Sequence, residues 1–140
     1  MVRLGSTYEG EFKDGRKIGK GKVTFHKGNV YEGDIVDGSL EGHGKMVWPD
    51  GKTYEGSWVK DKMDGHGKFD WKNQQSYIGG YLKGEKNGRG ELRYPDGKMY
   101  VGGFKNGTQH GQGRAVYPDG TVKDGDWVDG EFQESIVRQG

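Results

Sequence analysis

A tyrosine recurs every 23 residues along most of the chain, and this interval constrains the fold more than any other feature of the sequence. When each of these tyrosines is taken as position 0 of a unit, position 2 is always glycine and position 4 is always large. Positions 11 and 13 are glycine and position 17 is aromatic in every complete unit. Self-similarity at a fixed interval of this size indicates a repeat architecture. The tyrosines are Tyr8, Tyr31, Tyr54, Tyr77 and Tyr100.

The spacing divides the chain into one continuous array. Five complete units are followed by a half unit in which Lys123 takes the place of the tyrosine. Because each unit of such an array packs only on its neighbours, we expect residues 1–140 to form one domain. The predicted repeats are 8–30, 31–53, 54–76, 77–99 and 100–122, with a half repeat or cap at 123–140.

Each repeat is predicted to be a β-hairpin. Positions 0–5 and 11–17 alternate large and small side chains, with the period of two that a strand requires. Turn residues lie between these strands, at positions 7–10, and between repeats, as in Pro49-Asp50-Gly51. Short connections make consecutive strands antiparallel neighbours. The expected fold class is therefore all-β: a single-layer, elongated, twisted antiparallel β-meander of about eleven strands.

The period of two sorts the side chains onto an aromatic face and a charged face. If the two positions paired within a hairpin sum to seventeen, glycines lie opposite most of the large residues, and rings can lie over bare backbone. The same register places Glu11 opposite Lys22, and Asp34 opposite Lys45, on the charged face. Matching of volume and charge therefore predicts one particular register.

The composition excludes several functional classes. The chain is polar, with a mean hydropathy of -1.04, but 12% of its residues are aromatic, which is unusual for a disordered segment. A net charge of +1 provides no basic footprint for nucleic acid. There is no cysteine for disulfides or thiolate ligands, and no apolar run is long enough to span a bilayer. We expect an intracellular, cytoplasmic protein that binds no nucleic acid.

The unit Tyr54-Glu55-Gly56-Ser57-Trp58, followed by Gly65-His66-Gly67, resembles the MORN repeat, and the resemblance covers about residues 6–132. It implies a single-layer sheet whose concave aromatic side receives a partner helix or peptide, as in cytoskeletal, ciliary and junctional scaffolds. It also implies phosphoinositide binding, or a place beside a catalytic domain such as a lipid kinase, as alternatives. The residues that depart from the pattern are Asp61, Gln74, Ile78, Val101 and Lys123.

The aromatic face is the strongest candidate for a functional site. A single sheet has no second layer to cover that face, and a long exposed apolar patch usually marks an interaction site. Tyrosine and tryptophan are also favoured at binding hot spots. The sequence therefore predicts a non-catalytic scaffold that binds a helix or extended peptide of another protein, or another copy of itself. The candidate residues are Tyr31, Trp48, Tyr54, Trp58, Trp71, Tyr77, Tyr81 and Tyr94.

Weak binding to phosphoinositides or other anionic lipids is the alternative on the charged face. A basic residue near an anionic membrane contributes about 1 kcal/mol, so a row of such residues could bind weakly. Glu91 interrupts the row, and Glu11 and Asp34 partly neutralise it. As a further alternative, the array could be the accessory region of a larger enzyme. The candidate lipid-binding residues, all at position 14, are Lys22, Lys45, Lys68 and Arg114.

No catalytic, cofactor-binding or metal-binding residue is predicted, so the array itself is not expected to be an enzyme. His43 and His66 share position 12 of adjacent repeats. Two strand spacings separate them by about 9–10 Å, which is too far to share one metal ion. A Gly-x-Gly triplet such as Gly42-His43-Gly44 precedes a strand, whereas a phosphate-binding loop needs a helix N-terminus after its glycines.

Overall fold

A computed structural model describes residues 6–133 as twelve antiparallel β-strands in one sheet. Each strand pairs with the next in the chain, so the predicted all-β meander is confirmed, with one strand more than expected. None of the residues in this range forms a helix that could cross a membrane. The strands are β1 (Thr7–Lys13), β2 (Arg16–Thr24), β3 (Val30–Val36), β4 (Ser39–Val47), β5 (Thr53–Val59), β6 (Lys62–Asp70), β7 (Ser76–Leu82), β8 (Glu85–Arg93), β9 (Met99–Lys105), β10 (Thr108–Val116), β11 (Val122–Val128) and β12 (Glu131–Gln133).

The turn inside each hairpin is shorter than the sequence pattern predicted. Only two residues join the strands, as in Asp14-Gly15, and both have positive φ, at 52° and 79°. This is the geometry of a type I′ turn, whose twist matches that of the flanking strands. Asp61, which replaces the usual glycine, also adopts a positive φ of 69°. The second strand of each hairpin therefore begins at position 8, not at position 11.

This turn also changes the register. Tyr8 lies opposite Val23 and Gly10 opposite Gly21, so paired positions sum to fifteen rather than seventeen. A shift of two residues keeps every side chain on its predicted face but changes its partner. The predicted pairing of Glu11 with Lys22 is wrong, because Glu9 lies opposite Lys22. The pairing of Asp34 with Lys45 is wrong in the same way, since Glu32 takes that place.

A β-bulge interrupts each complete hairpin just after its first glycine, for example between Gly79 and Tyr81. Before the bulge, the glycines of positions 2 and 13 lie opposite one another in every pair from β1 to β11. They form a continuous line across the sheet, which we call the glycine row. Its members are Gly10, Gly21, Gly33, Gly44, Gly56, Gly67, Gly79, Gly90, Gly102, Gly113 and Gly125.

Backbone hydrogen bonds connect each repeat to the next outside the strand ladders. The amide of Gly84, in one hairpin turn, donates to the carbonyl of Met63 in the preceding repeat at 2.8 Å. The same bond joins Gly107 to Lys86 at 3.0 Å. The connections between repeats are closed turns, as between Trp48 and Lys52. Regular turns therefore lie at both ends of the strands, and the side chains of the aromatic face lie between these two rows of turns.

Candidate partner-binding face

The aromatic face is covered largely by its own rings. Each repeat tyrosine lies over the glycine row, so that a Cβ added to Gly90 would be only 2.5 Å from Cε1 of Tyr77. The large side chains of position 4, which we call the cover residues, enclose the tyrosines from both sides. Tyr77, for example, makes edge-on contacts with Tyr81 of its own repeat and Phe104 of the next, at 5.3 and 5.1 Å between ring centroids. The tyrosine is fully buried as a result.

The tyrosine hydroxyls donate hydrogen bonds to backbone carbonyls in the β-bulges. The residue three positions after each tyrosine lies in the bulge and has no paired residue on that side. The hydroxyl of Tyr77 donates to the carbonyl of Gly80 at 2.8 Å, and that of Tyr31 to Asp34 at 2.8 Å. Burial, as the main cause, raises the pKa of Tyr54 and of Tyr77 to about 12. These hydroxyls are thus structural hydrogen-bond donors.

A second set of rings stays half-exposed along one edge of the aromatic face, beside the turns between repeats. These position-17 side chains, the edge rings, pack one side against the core and present the other to solvent. Trp48 stacks on Phe69 with a centroid distance of 5.3 Å, and Trp71 contacts the same ring at 4.3 Å. The edge rings therefore carry the accessible aromatic surface of this face. They are Phe25, Trp48, Trp71, Tyr94 and Tyr117.

Lysine side chains lie against the edge rings at distances typical of cation–π contacts. We call Lys52, Lys86, Lys98 and Lys123 the edge lysines. The closest contacts are those of Lys98, whose Nζ is 4.6 Å from the ring centre of Tyr94 and 4.8 Å from that of Tyr117. Burial between two rings lowers the pKa of Lys86 below its ordinary value. The accessible part of the face is thus both aromatic and cationic.

The opposite face is electrostatically balanced. From β1 to β6 its central row alternates acidic and basic residues, because Lys22 lies between Glu9 and Glu32, and Lys45 between Glu32 and Glu55. Further along, Lys68 forms an ion pair with Asp70, and Arg114 forms one with Asp124. Each candidate lipid-binding residue therefore has an acidic neighbour that offsets its charge.

Comparison with known families decides what kind of array this is. The model of the MORN repeat matches residues 8–30, 31–53, 54–76, 77–99 and 100–122. This chain belongs to the MORN-repeat family. MORN repeats are non-catalytic modules that generally mediate interactions with proteins or membranes.

A solved structure of low sequence identity is similar to the MORN array. That structure is the SAS-4 (dCPAP) TCP domain of Drosophila melanogaster, solved in complex with a proline-rich motif of Ana2 (dSTIL). The two chains are 13% identical with a TM-score of 0.29, and the match covers 74% of this chain and 70% of that chain. No curated protein matches the sequence.

The structure separates the eight predicted partner-binding residues into two groups. The expectation that nothing covers the aromatic face is wrong, because neighbouring repeats of the MORN array cover it with their own rings. Five candidates, Tyr31, Tyr54, Trp58, Tyr77 and Tyr81, are buried and can only hold other residues in place. The three edge rings Trp48, Trp71 and Tyr94 remain accessible for direct contact.

Sequence reasoning missed the edge lysines. Lys52 and Lys98 directly follow Pro-Asp-Gly turns. The side chain of each lies on the aromatic face and contacts the edge ring that precedes its turn. Lys86 takes the place that the apolar residues Leu40 and Met63 hold in the two preceding repeats. The sequence does have lysine at repeat positions close to aromatic ones. However, the position of Lys86 was assigned to the predicted hairpin turn and not to a strand.

The described residues contain no group of three metal-ligating side chains. His43 Nε2 lies 3.8 Å from a carboxylate oxygen of Glu55, on the exposed charged face. His110 is the one residue of this range with a buried side-chain nitrogen lacking a hydrogen-bond partner, and this atom is Nδ1. Isolated histidines of this kind do not make a nucleophile–base or ligand set.

Proposed function

We propose that this MORN array is a non-catalytic scaffold that binds a segment of another protein along its aromatic face. The main support for the proposal is that half-exposed tryptophan and tyrosine rings form a row that packs against the buried rings of the core. Large rings held in place lose little conformational freedom when a partner binds, which is why such residues are common hot spots. A helix or extended peptide lying across the strands would contact several of them at once.

Affinity capture followed by mass spectrometry tests this proposal. The bait is the complete chain, compared with a Trp48→Ala/Trp71→Ala/Tyr94→Ala variant. Loss of hot-spot residues typically costs 2 kcal/mol or more each, about thirtyfold in affinity, so the specific partners should be lost. Partners retained by this variant would contradict the proposal.

A matched control removes apolar area from the opposite face. Val36, Val59 and Leu82 are exposed on the charged face, so their triple alanine variant truncates three apolar side chains without touching the edge rings. This control should retain the captured partners. Sedimentation over a range of concentrations shows whether the captured partner is a second copy of the chain.

Membrane binding receives less support from the geometry. Lys22, Lys45 and Lys68 are each offset by carboxylates, which removes most of the attraction to anionic lipid. Reversing these three charges should leave pelleting with phosphoinositide-containing vesicles unchanged. We place the scaffold in the cytoplasm, which imaging of a fluorescent fusion would test.

A further inference from the structure

We infer that the segment recognised by the aromatic face is acidic, with carboxylates that pair with the edge lysines Lys86, Lys98 and Lys123. This inference rests on the proposed function, because it specifies the chemistry of the partner at the same face. Four observations lead to it: an unbalanced charge, its position among the rings, a cleft at one end, and the spacing of the repeats.

Charge is balanced on one face and unbalanced on the other. Among the described residues, ion pairs on the charged face include Lys20 with Asp34 and Arg114 with Asp124. Of the edge lysines, Lys52 has an acidic partner, Asp50, at 3.6 Å. Lys86, Lys98 and Lys123 have no carboxylate within ion-pair distance in the part of the chain that is described. An anionic partner would supply the missing charge.

The position of these lysines favours a protein segment over a membrane. Lys86 and Lys98 are half-buried among rings, whereas Lys123 and the opposite-face residues Lys22, Lys45 and Lys68 are exposed. A bilayer surface would first meet exposed charges. A single carboxylate on a flexible side chain can instead reach an ammonium group between two rings, where low polarity strengthens the pairing.

A cleft of about 640 Å³ lies at the C-terminal end of the aromatic face, beside the last hairpin. It lies where Lys123 replaces the tyrosine of the other repeats, and the ring edge of Phe132, rather than a phenol ring, approaches Gly125, 3.3 Å from an added Cβ. Two ammonium groups adjoin its rings, and Glu131 is the only acidic residue at its border among the described residues. The cleft therefore suits an apolar side chain next to a carboxylate. Its rings are Tyr117, Trp127 and Phe132, and its lysines are Lys98 and Lys123.

Repeat spacing sets the pattern expected in the partner. Successive edge rings are two strands apart, which is about 9.6 Å. An extended peptide that runs across the strands covers this distance in about three residues. The partner segment should therefore carry several aspartate or glutamate residues within a short stretch, with apolar residues between them.

Selection from a displayed library of short random peptides tests the inference. The complete chain is one target, and a Lys86→Gln/Lys98→Gln/Lys123→Gln variant is the other. The matched control is Lys22→Gln/Lys45→Gln/Lys68→Gln, which removes the same charge from the opposite face. Tryptophan fluorescence verifies that all variants remain folded. Lys123→Tyr, which restores the residue of the other repeats, is a second test because it fills the cleft.

We expect the enriched peptides to be acidic. Synthetic copies should bind the Lys86/Lys98/Lys123 variant at least about tenfold more weakly and the control variant equally well. Lys123→Tyr should also weaken them. Enriched peptides without an excess of acidic residues, or equal binding to the edge-lysine variant, would overturn the inference while leaving the proposed function intact. If no peptide is enriched on the wild-type chain, the proposed function fails as well.

Vesicles of phosphatidylcholine with and without phosphatidylserine complete the test. We expect the complete chain to pellet with neither. Pelleting that requires phosphatidylserine and is lost in the edge-lysine variant would assign these lysines to a membrane and would overturn the inference.

Discussion

Substitution of Gly90 by alanine should destabilise the array strongly, because its Cβ would occupy the space of the Tyr77 ring. The added carbon would lie 2.5 Å from Cε1 and 2.6 Å from Cζ of Tyr77. Carbon atoms in contact are normally about 3.5–4.0 Å apart, so the ring must move by about 1 Å or more. Gly90 does not have a positive φ, so the backbone itself accepts alanine.

The magnitude follows from what encloses the ring. Tyr77 is fully buried between Tyr81 and Phe104, so it cannot move without displacing them. Overpacking of this kind costs about 1–3 kcal/mol. Loss of the hydrogen bond to the carbonyl of Gly80 adds about 1 kcal/mol. We therefore expect the free energy of unfolding to fall by about 2–4 kcal/mol.

Urea denaturation followed by tryptophan fluorescence measures this change as a lower midpoint at unchanged slope. Gly84→Ala is the control: it loses a glycine with a φ of +88° but meets no atom within 4 Å, and should cost about 1–2 kcal/mol. If Gly90→Ala costs no more than this control, the tyrosine does not lie on the glycine row. Adding Tyr77→Leu should relieve the clash, so the two substitutions should be far from additive.

Three further predictions concern the turns and the tyrosines. Gln74 has a φ of +76° where other repeats have glycine, so Gln74→Gly should raise the thermal midpoint by the equivalent of about 1 kcal/mol. Tyr77→Phe leaves the carbonyl of Gly80 without its donor, which should lower the free energy of unfolding, measured from urea denaturation, by about 1–3 kcal/mol. The pKa of Tyr54 and Tyr77 rises from 10.0 to about 12 on folding. The unfolded chain therefore loses these protons first, so stability should be complete below pH 10 and decline towards pH 12, with the urea midpoint and ultraviolet tyrosinate absorbance as readouts.

Strand order and the identity of the two faces could be predicted because both follow from periodicity alone. Short turns between strands allow only neighbours to pair, and alternation assigns each residue to a face. Register could not be derived from matching volumes, because a tyrosine ring extends along its strand and covers a glycine two residues away from its direct partner. Tyr8, for instance, pairs with Val23 but lies against Gly21. The Asp-Gly pairs at Asp14 and Asp37 carried the better signal, since this dipeptide favours a two-residue hairpin turn.

The burial of the candidate residues could not be predicted by considering one strand at a time. A tyrosine such as Tyr54 is covered on one side by Trp58 of its own repeat, and the ring of Tyr81 from the next repeat completes its enclosure. The edge lysines were missed for a related reason, because Lys86 reaches Trp71 of the preceding repeat. Contacts between repeats depend on twist and on the β-bulges, neither of which the 23-residue pattern reports.

The sharing of rings between neighbours has a consequence for how such a gene can change. One side of each repeat tyrosine is enclosed by a side chain of the next repeat, as Tyr100 is by Trp127. Insertion or loss of a whole 23-residue unit inside the array joins equivalent surfaces and preserves every type of contact. A change of any other length brings unlike surfaces together.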